Sequence, residues 1–138
     1  MARRLLSVAP MSHQRQELGK SGEDLAVREL TARGYAILER RYRTRHGEID
    51  IIAEHDATIV FVEVRARATA EFGRAAETVT DQKKRKVTAM AVDYLARHHI
   101  TNRPCRFDVV AIDEALGPNP NITVYPNAFD AVDGGRVP

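Results

Sequence analysis

Two acids interrupt two strand-like apolar runs: Asp50 within EIDIIAE and Glu63 within TIVFVEVRA, with Arg65 two residues after Glu63. Residues two apart in an extended strand share a face, so Glu63 and Arg65 project together. A carboxylate in a strand that is apolar on both sides is costly unless something compensates it. Two carboxylates from neighbouring strands supply the hard oxygen ligands that Mg²⁺ or Mn²⁺ takes, and the backbone carbonyl of Val64 can add another. An ion held this way polarises a phosphoryl oxygen and acidifies a water, while a nearby cation stabilises charge on a pentavalent phosphate. The set suits phosphodiester hydrolysis.

The elements that must position these residues follow from periodicity. From about His13 to Arg33, Leu18, Leu25, Ala26, Val27 and Leu30 form one broad helical stripe, and Gly34 suits the helix C-cap. YAILERRYR, EIDIIAE and TIVFVEVRA then read as three strands separated by short turns, hence an antiparallel meander. In the third, Ile59, Phe61, Glu63 and Arg65 point one way and Val60, Val62 and Val64 the other. Both faces are mostly apolar, which predicts a central strand covered on both sides.

A second helix begins near Thr80 or Asp81, either of which can N-cap it, and buries Val87, Met90, Ala91, Tyr94 and Leu95. It ends near His98 and His99, which complement the helix dipole. RFDVVAID is a fourth strand, returning parallel to the third by a right-handed crossover. NITVYPNAF adds a short edge strand, since Pro126 does not suit a central one. The core order is αβββαβ, an α/β fold with a mixed sheet flanked by helices.

The chain has 138 residues, 43% hydrophobic and 29% charged, which fits one globular domain. That domain spans residues 13–129, with residues 1–12 a disordered leader and 130–138 a flexible tail. MARRLLSVAPMS is too short for a secretory core, and Met11 is a second candidate start. No apolar run approaches the roughly 20 residues that cross a membrane, so the expected location is the cytoplasm. The single Cys105 excludes an internal disulfide and a cysteine-based zinc site, and reads as a small half-buried apolar residue.

The net charge of +2 hides two basic clusters, RRYRTR at 40–45 and KKRK at 83–86. Arg41, Arg43, Arg45, Lys83, Lys84 and Lys86 flank the acidic centre and suit a nucleic-acid polyanion, unless each cluster is a solvated face. His46, in the turn before Asp50, is within reach of a metal or phosphate or else solvated. Glu48 shares Asp50's side by period two, as a partner of Asp50 or simply the residue after the turn. Asp108 reads as a structural partner for a basic residue.

GKSGEDLAVRELTARGY, HGEIDIIAEHDATIVFVEVRAR and CRFDVVAID resemble the YraN-like family of small bacterial proteins, assigned to the PD-(D/E)XK nuclease superfamily. The resemblance runs in order from about His13 to Phe129. It implies a restriction-endonuclease-like αβββαβ core related to Holliday-junction resolvases, with Mg²⁺- or Mn²⁺-dependent chemistry on DNA at branched or damaged structures. A homodimer is also an expectation, since junction-cutting relatives often act as symmetric dimers. By position the superfamily's paired acids match Asp50 and Glu63, and the resolvase-like acid of the first helix matches Glu23. The implied metal ligands are Asp50, Glu63, Val64 and Glu23.

One position departs from the pattern: the motif's lysine is here Arg65, which stays protonated and cannot act as a base. Arg65 clamps a phosphate, or Lys83 at the start of the second helix takes the lysine's part, or catalysis has been lost while binding remains. The implied catalytic set is Glu23, Asp50, Glu63, Arg65 and Lys83. The alternative is a non-catalytic nucleic-acid-binding module on a nuclease scaffold, and a third reading is a protein adaptor.

Overall fold

A computed structural model of the chain describes residues 11–69 and 79–132. Most of the expected leader, most of the expected tail and the middle of the loop after the third strand lie outside these residues. The elements are α1 (Met11–Ala32), β1 (Ala36–Thr44), β2 (Gly47–His55), β3 (Thr58–Ala66), α2 (Asp81–Arg97), β4 (Cys105–Asp113) and β5 (Asn121–Phe129). The first helix thus begins two residues earlier than its periodicity predicts, inside the expected leader.

The strands form one sheet in the order β1-β2-β3-β4-β5. β1 to β3 are the antiparallel meander that their short turns dictate, β4 returns parallel to β3 after α2, and β5 closes the far edge antiparallel to β4. This is a mixed five-stranded α/β sheet consistent with a restriction-endonuclease-like core. β5 is longer than a short edge strand, and Pro126 is accommodated where the β4–β5 register shifts. An outer edge leaves a proline's missing N–H without consequence.

β3 is central, as its two apolar faces require. Ile59 and Phe61 pack with Val87, Met90, Ala91 and Tyr94 of α2, while Val60 and Val62 pack with Ala26 and Leu30 of α1. Each such aliphatic, buried completely, contributes roughly 1.5–3 kcal/mol. Leu18, Leu25 and Val27 lie half-buried against the α1 layer, so the predicted stripe is the packed one.

The helix ends are set by local hydrogen bonding. Gly34, at φ +94°, donates to the Thr31 carbonyl while Tyr35 N–H reaches back to Leu30, the paired bonds of a Schellman cap. α2 starts at Thr80, whose side chain accepts from Lys83 N–H at 3.1 Å. It ends the same way as α1, with His99 N–H on Ala96 and Ile100 N–H on Leu95. Here a histidine, His99 at φ +54°, takes the left-handed position that glycine favours. His98 Nδ1 lies 3.0 Å from the Tyr94 carbonyl, placing one of the two histidines on the helix's last carbonyls.

Asp108 is the predicted structural acid. It is fully buried and accepts from Tyr35 Oη at 2.9 Å, from Arg106 Nε at 2.9 Å and Nη2 at 3.0 Å, and from Asn127 N–H at 2.9 Å. These bonds tie the start of β1 and the end of β5 to β4, and satisfy a buried charge that is otherwise very costly. Cys105 departs from expectation: at the first position of β4 it is exposed rather than half-buried.

Candidate active site

The site lies where β2 and β3 part. Their pairing runs from His55↔Thr58 to Ile51↔Val62 and then stops, although β3 continues against β4 as far as Ala66↔Ile112. Past the fork the Val64 N–H donates to the Asp50 side chain, at 2.7 Å to Oδ2, instead of to a β2 carbonyl.

The fork coincides with irregularities in β2 and in β1. Ile49 packs in the α2 layer, yet Ile51 and Ala53 pack in the α1 layer, so strict alternation fails next to Asp50. On β1 the matching irregularity is Arg41, at φ +55°. A non-glycine residue there is strained by about 1 kcal/mol or more. The kink turns the consecutive residues Arg40 and Arg41 onto one acid: Arg41 Nε donates to Glu23 Oε1 at 2.8 Å and Arg40 Nη2 to the same oxygen at 3.1 Å.

Glu23 reaches this place because Gly22 lets α1 approach β3 closely; a Cβ on Gly22 would meet the Ala66 Cβ at 2.6 Å. Glu23 is only 5% exposed, and its Oε2 has no hydrogen-bond partner among the described residues. Glu63 is 3% exposed, on the face of β3 that meets α2. Lys83 of α2 comes to 3.3 Å from the Glu63 Oε1, while the Glu63 Oε2 also lacks a partner among the described residues.

Asp50 and Glu63 feel one another. Burial pushes the Asp50 carboxyl up to about 6, opposed by the Val64 hydrogen bond and the charge of Lys83, with Glu48 and Glu23 adding repulsion. Burial pushes Glu63 up to about 7, helped by the Asp50 charge and opposed by Lys83 and, more weakly, by Arg65. The half-buried Asp50 and the buried Glu63 resist ionising together, so positive charge placed between them would relieve both. These are residues that could hold a divalent cation: Glu63 has an unbonded oxygen, and both acids are hard oxygen donors beside the Val64 backbone.

The fork thus brings together Asp50, Glu63, Val64, Lys83 and the Arg65 charge, and sets Glu23 nearby. It does not gather the three acids: among the described residues no three His, Cys, Asp or Glu side chains form a metal-binding group. Glu23 is spoken for by Arg40 and Arg41 instead.

The basic residues divide. Arg41 and Arg43 line a cavity with Glu23, Glu48 and Asp50, and Arg43 lies 3.6 Å from Glu48. Lys83 belongs to Glu63. Lys84 turns away, over the Phe129 ring at 5.7 Å, and Lys86 is exposed on α2. Arg45 and His46 border a different hollow with Asp93 and Arg97, away from Asp50. Sequence reasoning passed over two basic residues here. Arg40 sits beside Arg41, but only the kink aims it at Glu23; Lys20, at the cavity mouth, precedes Glu23 by three, a helical same-face spacing that was available as a signal.

The stretch that builds this site is similar in sequence to known proteins. Residues 22–112, which span every element of the site from Gly22 to β4, match the model of the "Uncharacterised protein family UPF0102". A UPF0102 protein of Roseiflexus castenholzii is 47% identical over 107 residues, covering 77% of this chain and 86% of the relative. One of Persephonella marina is 46% identical over 112 residues, covering 81% and 92%. One of Desulfosudis oleivorans is 43% identical over 121 residues, covering 88% and 96%. With the family model covering most of the chain and relatives above 40% identity nearly end to end, the chain belongs to the UPF0102 family, the YraN-like family its sequence resembles.

Proposed function

We propose that this protein is a divalent-metal-dependent endonuclease that hydrolyses DNA phosphodiester bonds at the β2–β3 fork. The observation that carries the reading is Glu63: a buried acid with an unbonded oxygen, held at 3.3 Å by Lys83 and electrostatically coupled to Asp50. Asp50, Glu63 and the Val64 carbonyl are the groups that would hold the ion. Mg²⁺ or Mn²⁺ bound there would supply Lewis-acid polarisation of the phosphodiester and a lowered pKa for the attacking water.

The chain's own residues do the rest. Val64 N–H orients the Asp50 carboxylate through the 2.7 Å bond. Lys83 brings a positive charge to the edge of the acid pair, where negative charge builds on the phosphate. It also fills the place of the missing motif lysine better than Arg65 does, since an amine can give up a proton and a guanidinium cannot. Arg65 adds charge next to Glu63, and the exposed Arg43 and Lys86 suit backbone phosphates.

The test is cleavage of labelled branched, nicked and single-stranded DNA by highly purified protein, with Mg²⁺, with Mn²⁺ and with chelator. Cleavage that needs the metal and vanishes in Asp50→Ala and Glu63→Ala supports the site; cleavage unchanged in both variants sinks it. Lys83→Met is expected to slow single-turnover cleavage by about 10²-fold or more, the usual cost of losing one positioned electrostatic group. A rate within twofold of the parent would remove Lys83 from the reaction.

The second reading, a nuclease scaffold kept for binding, is favoured by Arg65 in the lysine position. It predicts steeply salt-dependent DNA binding without metal dependence and without cleavage.

A further inference from the structure

The cavity beside Asp50, about 420 Å³ on the α1 side of the sheet, has features that hydrolysis at Asp50 and Glu63 does not use. Glu63 and Lys83 do not line it. Its floor is Val64 and Ala66, and its wall is the Leu18–Glu23 stretch of α1. Glu23 enters it almost wholly buried, with Oε1 bonded by two arginines and Oε2 by no group among the described residues. Buried carboxylate oxygens are nearly always hydrogen-bonded, so one left over beside a cavity marks a donor that arrives with a ligand. At the mouth stand two exposed cations, Lys20 and Arg43.

We propose that this cavity receives one unpaired nucleotide of the DNA strand next to the phosphodiester at Asp50. Its phosphate lies on Lys20 and Arg43, and an N–H or O–H of its base or sugar donates to Glu23 Oε2. The proposal rests on Asp50 marking the reacting phosphate. The volume lies in the range that holds one small ligand, which suits a single nucleotide rather than a base pair held in its stack. The free carboxylate oxygen accepts, so it meets donors: an exocyclic base amine, a ring N–H or a sugar hydroxyl. A base already unpaired enters without the cost of being pulled from a duplex. The arginines on Oε1 hold Glu23 in one orientation whether or not the nucleotide is present, so the acceptor is preset.

The site is tested by binding rather than by cleavage, with the full chain in chelator at fixed salt. The probe is a short duplex with a single-nucleotide bulge of 2-aminopurine, compared with the same duplex fully paired. The bulged probe is expected to bind about tenfold tighter, and its emission to rise on binding as the base leaves its stacked neighbours. Leu18→Trp, which fills the cavity from the helix wall, should bring the bulged probe to the affinity of the paired one and abolish the emission change. Glu23→Gln should lower the preference for the bulge by several-fold, with folding of both variants checked by circular dichroism. Equal affinity for the two probes, or an emission change surviving Leu18→Trp, overturns the proposal. Failure of the nuclease reading would show elsewhere, as absent metal-dependent cleavage, and leaves these binding readouts unaffected.

Discussion

Glu63→Gln is expected to abolish metal-dependent cleavage and, in the same protein, to raise stability at pH 8 without metal. On the proposed reading the loss follows from removing a charged ligand: metal-ion stabilisation of a phosphoryl transition state is worth several kcal/mol, hence roughly 10³-fold or more in rate. The gain follows from the raised carboxyl groups. Asp50 and Glu63 ordinarily ionise near 3.8 and 4.5 but are pushed to about 6 and about 7 in the fold. Through that window the folded protein holds more protons than the unfolded chain, so stability falls as pH rises and is lowest once both acids are charged. The stabilising contribution is fully present below the ordinary carboxyl range and gone above about pH 7.

Removing one acid of a coupled pair should recover on the order of 1–3 kcal/mol at pH 8, a few degrees to about 10 °C in Tm. Near pH 4 the variant and parent should converge. Millimolar Mg²⁺ or Mn²⁺ should raise the parent's Tm at pH 8 and leave the variant's nearly unchanged. Thermal melts at the two pH values, with metal and with chelator, read all three effects. A variant less stable than the parent at pH 8 would mean that Glu63 is a structural partner of Lys83 rather than a group waiting for an ion.

Gly22→Ala is the second large effect, and its sign is unusual. Glycine inside a helix normally costs about 0.5–1 kcal/mol against alanine, so the change should stabilise. Here the new methyl stands 2.6 Å from the Ala66 Cβ, and neither atom is the end of a flexible side chain. Helix α1 must lift from β3, at the cost of about 1–3 kcal/mol that overpacking brings. The net expectation is destabilisation by about 1–2 kcal/mol, together with weaker DNA binding, as Glu23 moves off its arginines. Ala66→Gly removes the opposing methyl, so the double variant should recover most of the loss, a coupling of about 1 kcal/mol or more in urea unfolding. Simple additivity of the two changes would show that the helix and strand are not in contact there.

Much of this was legible in the chain because it is written in short-range periods. The stripe ending at Leu30, the doubly apolar β3 and the turn-sized gaps fix the order of elements and the neighbourhood of Asp50 and Glu63. What was not legible depends on strain or on distant partners. Arg41 adopts a left-handed backbone without being glycine, so nothing in RRYRTR announces the kink. The capture of Glu23 by Arg40 and Arg41 depends on that kink, and reads from the sequence as a surface cluster. Lys83 and Lys84 are adjacent and chemically alike, yet one meets Glu63 and the other Phe129, because successive helical residues point about 100° apart. The closeness of Gly22 to Ala66 joins elements that three turns of chain separate, and a glycine in a helix carries no mark of what it faces.

The bond from Val64 N–H to Asp50 means that this carboxylate stands in for the ladder partner that β3 loses at the fork. A relative without any catalytic use for this acid would still need an acceptor at position 50, since an orphaned strand N–H costs about 1–3 kcal/mol. Aspartate or asparagine would persist there on architectural grounds alone. Position 63 completes no backbone ladder: its Oε1 meets the Lys83 side chain, and its Oε2 has no hydrogen-bond partner among the described residues. On the proposed reading, drift at 63 with retention at 50 among related chains is therefore the expected mark of a lineage that keeps the shape without the cleavage.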